Sequence, residues 1–407
     1  MKKEIDIHNY PKRLAGALEQ VRKAAISERN RQLILEFRDF CSVENISMPR
    51  IERYLGVLVF WAKTLQADFD KVTKEDITEA VRFLQENDYS PWTKSTYKIM
   101  LKRFFKWLKK AEDEMPYEVK WISTAIKKTD KKFIDNAELL TEDEVRALIN
   151  AADHPRDKAL VATLYESGTR IGEHGSLQIA NVKFDEHGAI LNVVGKTGPR
   201  SVRIISSAPL LGAWLNMHPH RNEPDSPLWV NIGSANHNKV MRYDNIRCLL
   251  QRLFEKISIK KRFNPHIFRH ARASFLADHL TEFQMNQYFG WIQGSKMPST
   301  YVHMSGKQID ASILALNGIQ QDKENIESRL KPKVCQRCNT MNAVDARYCT
   351  KCSGILDLKS AFEVEEKLRQ EKEARERADS ILNLLVKDPD FMKVFEEKVK
   401  GLKEAIY

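Results

Sequence analysis

No run of about 18 apolar residues occurs anywhere in this 407-residue sequence, so no helix of it is expected to cross a bilayer. The opening stretch, MKKEIDIHNYPKRLAG, carries charges but no apolar core, so no secretory signal is expected and a cytoplasmic, nucleoid-associated setting is. Acidic residues are in deficit: 55 Asp and Glu stand against 66 Lys and Arg, a formal net charge of +11. That balance favours a polyanionic partner. Nucleic acid and an anionic membrane both meet it on charge alone, and the missing apolar segment argues against the membrane.

Cysteine is scarce as well, six in all. Cys41 and Cys248 stand alone in apolar-flanked helical patterns, where a reduced, buried thiol is expected. The other four, Cys335, Cys338, Cys349 and Cys352, form two Cys-x-x-Cys knuckles separated by ten residues. Four thiolates at that spacing suit a tetrahedral site, and in a reducing compartment such a unit is more often zinc than disulfide. A structural zinc ribbon is therefore expected over 331–357, with the metal supplying most of its folding free energy.

What is present is a set of cations and imidazoles ending in a tyrosine: Arg170, Lys196, His266, Arg269, Trp291 and Tyr301. These types suit attack by a phenol on a phosphodiester. Two guanidiniums match the geometry of the non-bridging oxygens and stay charged at any working pH. Tyr301 is the candidate nucleophile, and because a free phenol has a pKa of roughly 10, it needs positive charge and a proton acceptor nearby. Tyr165 and Tyr288 are rival phenols, but each sits in an apolar helical run that reads as core. His270 and His303 are expected to serve locally, by hydrogen bonding or packing.

The flanking residues are as specific as the set itself: LYESGTRIGEHGSL around Arg170, GKTGPRSVRI around Lys196, NPHIFRHARASFL around His266 and Arg269, and YFGWIQGSKMPSTYVHMSG from Tyr288 onward. In that order these blocks resemble the catalytic domain of the tyrosine recombinases, the phage and archaeal integrase family, with wording closest to archaeal integrases of mobile elements. The resemblance implies that Arg170 and Arg269 bind the scissile phosphate, that Lys196 on a hairpin protonates the leaving 5′ hydroxyl, and that His266 is an acid/base histidine. It also implies that Glu173, one helical turn after Arg170, orients that arginine. Trp291 stands where many members carry a histidine. Its indole N–H can only donate a hydrogen bond, so a positioning role is expected of it. The GSKMPS run before Tyr301 reads as a loop. No nucleotide cofactor or catalytic metal is called for, since the energy of the broken bond is kept in the phosphotyrosyl link.

The expected architecture is mainly α with a small antiparallel sheet (α+β). Residues 1–112 are read as a helical, SAM-like core-binding domain with N-caps at Ser27, Thr73 and Thr93, 113–136 as a basic linker, 137–325 as the catalytic domain, 331–357 as the ribbon and 358–407 as a charged helical tail. In the helix after Pro91, Lys94, Lys98, Lys102, Lys106 and Lys110 recur every four residues. That places them on one face, expected to meet the DNA backbone. Thr141 and Glu144 form a capping box opening the catalytic domain. AILNVVG and SVRIIS are strands joined at KTGP, with Lys196 at the tip. After Tyr301, Ile309, Ile313, Leu316 and Ile319 define an apolar face whose docking, on a neighbouring subunit or on its own chain, stays open. The tail reads equally as a short coiled coil or a solvated helix, with a helix restart at Asp388 and Pro389. The reading that follows is a DNA strand-exchange enzyme acting on double-stranded DNA, a tetramer on paired sites by the family resemblance. Two others compete: a type IB topoisomerase-like enzyme that relaxes single duplexes, and a non-catalytic zinc-ribbon regulator.

Overall fold

A computed structural model gives the architecture for residues 5–127, 130, 138–233, 236–301, 313, 314, 316, 317, 328, 330–387, 389 and 391–395. Five helices build the first unit: α1 (Tyr10–Lys23), α2 (Glu28–Val43), α3 (Met48–Leu65), α4 (Lys74–Glu86) and α5 (Pro91–Leu108), with one further turn, α6 (Tyr117–Lys120). Their starts follow from side-chain chemistry. Ser27 accepts from the Asn30 amide, and Thr73 and Asp76 close a reciprocal capping box. Thr93 is not a cap: it lies inside α5, whose N-cap is Ser90 followed by Pro91. The core of this unit is aromatic, with Phe37, Tyr54, Trp61, Phe69, Phe104 and Phe105 buried.

The second unit is built around α8 (Pro155–Ser167), buried on every side from Ala159 onward. Around it stand α7 (Glu142–Ala151), opened by the Thr141–Glu144 box, then α9 (Ile171–Gly175), α10 (Ala208–Asn216), α11 (Tyr243–Lys256), α12 (Pro265–Ala277) and α13 (Glu282–Phe289). A three-stranded antiparallel sheet flanks them, in the order β1 (Val182–Asp185), β2 (Gly188–Gly195), β3 (Gly198–Ile204). Gly195 pairs with Gly198, so Lys196 and Thr197 are the two turn residues of the hairpin.

Several expectations need correction. Val119 and Ile122, assigned to a linker, are buried in the first core, because α6 and the chain after it close over α4 and α5. That closure also changes the lysine stripe. Lys98 is buried and its Nζ donates to the Ser123 carbonyl, while Lys102 Nζ donates to the Ile122 carbonyl and Lys94 Nζ to the Gln85 carbonyl. Burial lowers the Lys98 pKa, with Lys94 adding to it. Lys110 lies past the end of α5 in a left-handed conformation. The five lysines therefore do not form one open face toward a duplex; Lys106 and Lys110 stay clear of this cover. Cys41 is buried as expected, but Cys248 is exposed on the outer side of α11.

The cysteine module contributes a short hairpin, β4 (Lys333–Val334) and β5 (Met341–Asn342), and is followed by a 28-residue helix, α14 (Leu358–Leu385). On α14, Leu368, Ile381, Leu382 and Leu384 are exposed and Arg369 and Arg377 pair with Glu366 and Glu373, the pattern of a solvated helix. His303, Ile309, Ile319 and Asp388 lie outside the described residues. No described helix is long and apolar enough to cross a membrane.

Candidate active site

The site is organised by the end of α13. Its last carbonyls point out of the helix unpaired, and three successive ones each receive an arginine. Arg200 Nε donates to Tyr288 O at 2.9 Å, Arg269 Nη2 to Phe289 O at 2.7 Å and Arg170 Nη2 to Gly290 O at 3.1 Å. The negative end of the helix dipole favours this gathering of cations. Gly290 takes a left-handed φ of 60°, and a Cβ there would stand 2.7 Å from Arg200 Nη1. Glycine is required at this corner on both counts.

Glu173 holds the arginines from the opposite side. Its Oε1 accepts from Arg170 Nη1 at 2.8 Å and its Oε2 from Arg200 Nη2 at 2.7 Å and from the Arg170 amide at 2.9 Å. Burial opposes ionisation of this carboxyl, but the Arg200 bond, then those from Arg170, hold it below the usual carboxylate range. Arg269, only 6% exposed, is fixed a second time by the Gly168 carbonyl at 2.8 Å. Burial and the charge of Arg170 bring its pKa down to about 10, so it stays charged at neutral pH.

Arg170, Glu173, Lys196 and His266 line one cleft of about 1320 Å³. Lys196 is exposed at the hairpin tip, and the neighbouring Thr197 Oγ1 ties that tip to Gly290 O at 3.0 Å. His266, in the first turn of α12 beyond the Asn264 cap, has its pKa lowered by burial of the ring and by Arg269 and Arg170.

Tyr301 is 5% exposed and packs in a small cluster with Ala273, Ala277, Met285 and Phe289. Its ring lies parallel to Trp291, at 4° and 5.7 Å between centroids, while the Arg269 guanidinium sits 5.4 Å over the Trp291 ring. Its hydroxyl bonds His270 Nδ1. Burial pushes the phenol up to about 12, with Arg269 opposing. The rival phenols are structural: Tyr165 is buried beside α12, and Tyr288 donates to the Glu166 carbonyl at 2.8 Å.

The structure therefore brings Arg170, Glu173, Lys196, His266, Arg269, Trp291 and Tyr301 into one neighbourhood, and leaves the lysines of α5 outside it. Arg200 is the member that sequence reasoning passed over, and His270, expected to hydrogen-bond or pack locally, bonds the Tyr301 hydroxyl. The arginine was in plain view in GKTGPRSVRI, but only the fold shows that it reaches Glu173.

The four cysteines lie apart from this site, their Sγ atoms all within 4.8 Å of one another. Cys335 and Cys352, and likewise Cys338 and Cys349, stand 3.5 Å apart. That is far beyond a disulfide length of about 2.05 Å and close to the edge of a tetrahedron with metal–sulfur bonds of about 2.3 Å. The Lys351 amide donates to Cys349 Sγ at 3.4 Å, as expected for a thiolate ligand held by its outer neighbours. The donor set fits zinc.

Residues 138–308 match the phage integrase family. Among curated relatives, the tyrosine recombinase XerC of Natranaerobius thermophilus is 26% identical over 264 residues, 61% of this chain and 86% of its own. The tyrosine recombinase XerA of Pyrococcus furiosus is 24% identical over 291 residues, covering 70% and 94%. Among solved structures, the XerH site-specific recombinase bound to its palindromic difH substrate aligns with a TM-score of 0.53 at 14% identity, over 78% of this chain and 98% of that one. A lambda integrase dimer bound to a core site aligns with a TM-score of 0.52 at 13% identity, over 73% and 80%. At such identities the structural likeness speaks for the fold.

Proposed function

The chain belongs to the tyrosine recombinase family, with residues 138–308 as its family domain, and we propose that it is a site-specific recombinase that cuts and rejoins DNA through a 3′-phosphotyrosyl link on Tyr301. One observation carries the reading: two arginines drawn from α9 and α12 are anchored on adjacent carbonyls, Gly290 O and Phe289 O, beside a stacked tyrosine. Such prefixed donors cost little reorganisation when charge develops on a phosphate.

In the proposed step, Tyr301 Oη gives its proton to the neutral His266 and forms a bond to phosphorus while the bond to the 5′ oxygen breaks. Arg170 and Arg269 hold the non-bridging oxygens, Glu173 and Arg200 hold Arg170 in place, and Lys196 delivers a proton to the leaving 5′ oxygen. His266, with its lowered pKa, is neutral at working pH and able to accept a proton. Trp291 fixes the plane of the Tyr301 ring. A 5′ hydroxyl from the partner strand reverses the sequence, which restores each proton. We assign a tetramer on paired duplex sites as the working assembly, the helical unit and the catalytic unit closing on the DNA from two sides, and zinc to Cys335, Cys338, Cys349 and Cys352 as a purely structural ion.

A nicked suicide substrate tests the reading. The protein should form a covalent adduct resistant to denaturant, and Tyr301→Phe should form none. An adduct made by Tyr301→Phe would overturn the assignment of the nucleophile.

A further inference from the structure

α12 presents three polar side chains in one turn and a half: His266, Arg269 and His270. His266 lines the cleft. His270, one helical turn further along the same face, meets the Tyr301 hydroxyl with its Nδ1. The His270 and Tyr301 rings lie 5.8 Å apart at 31°, and the His266 ring lies 6.5 Å from His270. The geometry points to His270 as the positioning residue of the nucleophile, its Nδ1 accepting the Tyr301 hydroxyl and fixing the place of Oη relative to Arg269. This rests on the reading of Tyr301 as nucleophile.

Two restraints are needed to aim a phenol. Stacking sets the plane of the ring, and Trp291 provides that at 4°. It leaves the ring free to slide and tip within the plane, because a stacked face has no direction in it. A hydrogen bond supplies the missing direction. His270 is well placed to give it: it follows Arg269, whose guanidinium is fastened to Gly168 O and Phe289 O. The helix register that seats the phosphate-binding arginine therefore also seats the acceptor of the attacking oxygen. The acceptor must be a neutral imidazole, since a protonated ring has no lone pair to offer. Burial, His266 and Arg269 bring the His270 pKa down to about 4, which keeps it neutral where the enzyme would work.

Three variants separate a hydrogen-bonding role from mere filling of space. Asparagine and leucine have similar shapes, but only asparagine carries an acceptor near the position of Nδ1. With the suicide substrate at saturation, H270L should lower the cleavage rate on the order of 10²-fold, as expected for a mispositioned reacting group. H270N should recover most of that loss, and DNA affinity should change by no more than about twofold in either. Equal rates for H270N and H270L, with matching melting points, would overturn the proposal. A second measurement needs no DNA: in ¹⁵N spectra of histidine-labelled protein, Y301F should shift the His270 Nδ1 resonance and leave those of His218 and His187 in place. An unmoved His270 signal would equally overturn it. If the unmodified protein makes no adduct, the recombinase reading falls, and the spectra alone then decide whether His270 seats Tyr301.

Discussion

Glu173 sits where the arginines meet, and its side chain is 4% exposed. Arg200, at 9%, is its main counter-charge, since Arg170 must keep part of its fork for a substrate. Removing one partner of such a buried pair is costly because the other charge is left behind. Arg200→Met should therefore cost about 3–5 kcal/mol in urea unfolding at pH 7, and cleavage should fall with it as Glu173, the partner of Arg170, loses the bond that holds it from the other side. The sign of the pH effect follows from the lowered Glu173 pKa. Its contribution is present above the carboxyl's unfolded value and is lost as pH falls through the depressed folded value, so the parent and Arg200→Met should converge in strong acid. His174 shifts stability in the same direction with pH, but because its neutral form is buried rather than because its charged form is paired. It is fully buried, stacked on Trp229 at 5.1 Å, and bonded to Thr163 and Thr169. Burial lowers its pKa to about 3. Below pH 6.5 the unfolded chain takes up a proton that the folded one refuses, which lowers stability by up to about 1.4 kcal/mol per pH unit. His174→Gln should lose one proton's worth of that acid slope; an unchanged slope would sink the account.

At the scale of elements, local chemistry was the legible part. The capping boxes at Thr73 and Thr141 stand where the sequence places them, because each depends on residues within four positions, whereas the hairpin turn is tighter than the expected KTGP connection, Gly198 and Pro199 already pairing in β3. The lysine stripe on α5 was misread for the complementary reason. Periodicity shows that Lys98 and Lys102 share a face, but not that residues 120–124 fold over it. Arg200 was missed, and the partner of His270 left unnamed, because Glu173 and Tyr301 are 27 and 31 residues away from them. The cysteine module shows the same limit: the meeting of its four cysteines was legible, its seat was not. Leu330 and Ala343 are buried in the catalytic core, and Lys158 on α8 bonds Asp345 at 2.6 Å. The ribbon thus packs against its own catalytic unit. Chelating the zinc proposed for the four cysteines should lower the melting midpoint of the whole unit, since 1 kcal/mol is worth about 2–4 °C at this size. Leu330→Ala should itself cost about 2–5 kcal/mol. Calorimetry beside metal analysis checks this, and an unmoved midpoint after complete zinc release would refute the coupling.

At the scale of the molecule, two connections join the two units among the described residues. One connection is the chain after α6. The other is the segment before α1: Ile7 is 2% exposed in the catalytic core, its carbonyl accepts from the Tyr243 amide at 3.1 Å, and the His8 ring stacks 5.1 Å from both Tyr10 and Tyr243. Gly175 makes the room, since a Cβ there would come within 2.6 Å of Ile7 Cδ1. Three residues further on, α1 belongs to the other unit, through Val21 in its core and an Arg13–Glu52 pair at 2.9 Å. The cleft that carries Arg170, Lys196 and His266 has Arg13, Arg53 and Tyr97 on its opposite wall. A duplex entering that cleft must part walls that this strap ties together. Units joined by a small interface move relative to one another by default, so the strap should set how far the cleft opens. Ile7→Asp places a carboxylate without a partner in an apolar socket, which is costly enough to expel the segment. The expected result is a larger radius of gyration in X-ray scattering and faster DNA association, together with a lower melting midpoint of the catalytic core, which loses a buried side chain. An Ile7→Asp protein with the parent's radius and association rate would show that the cleft opens by another route.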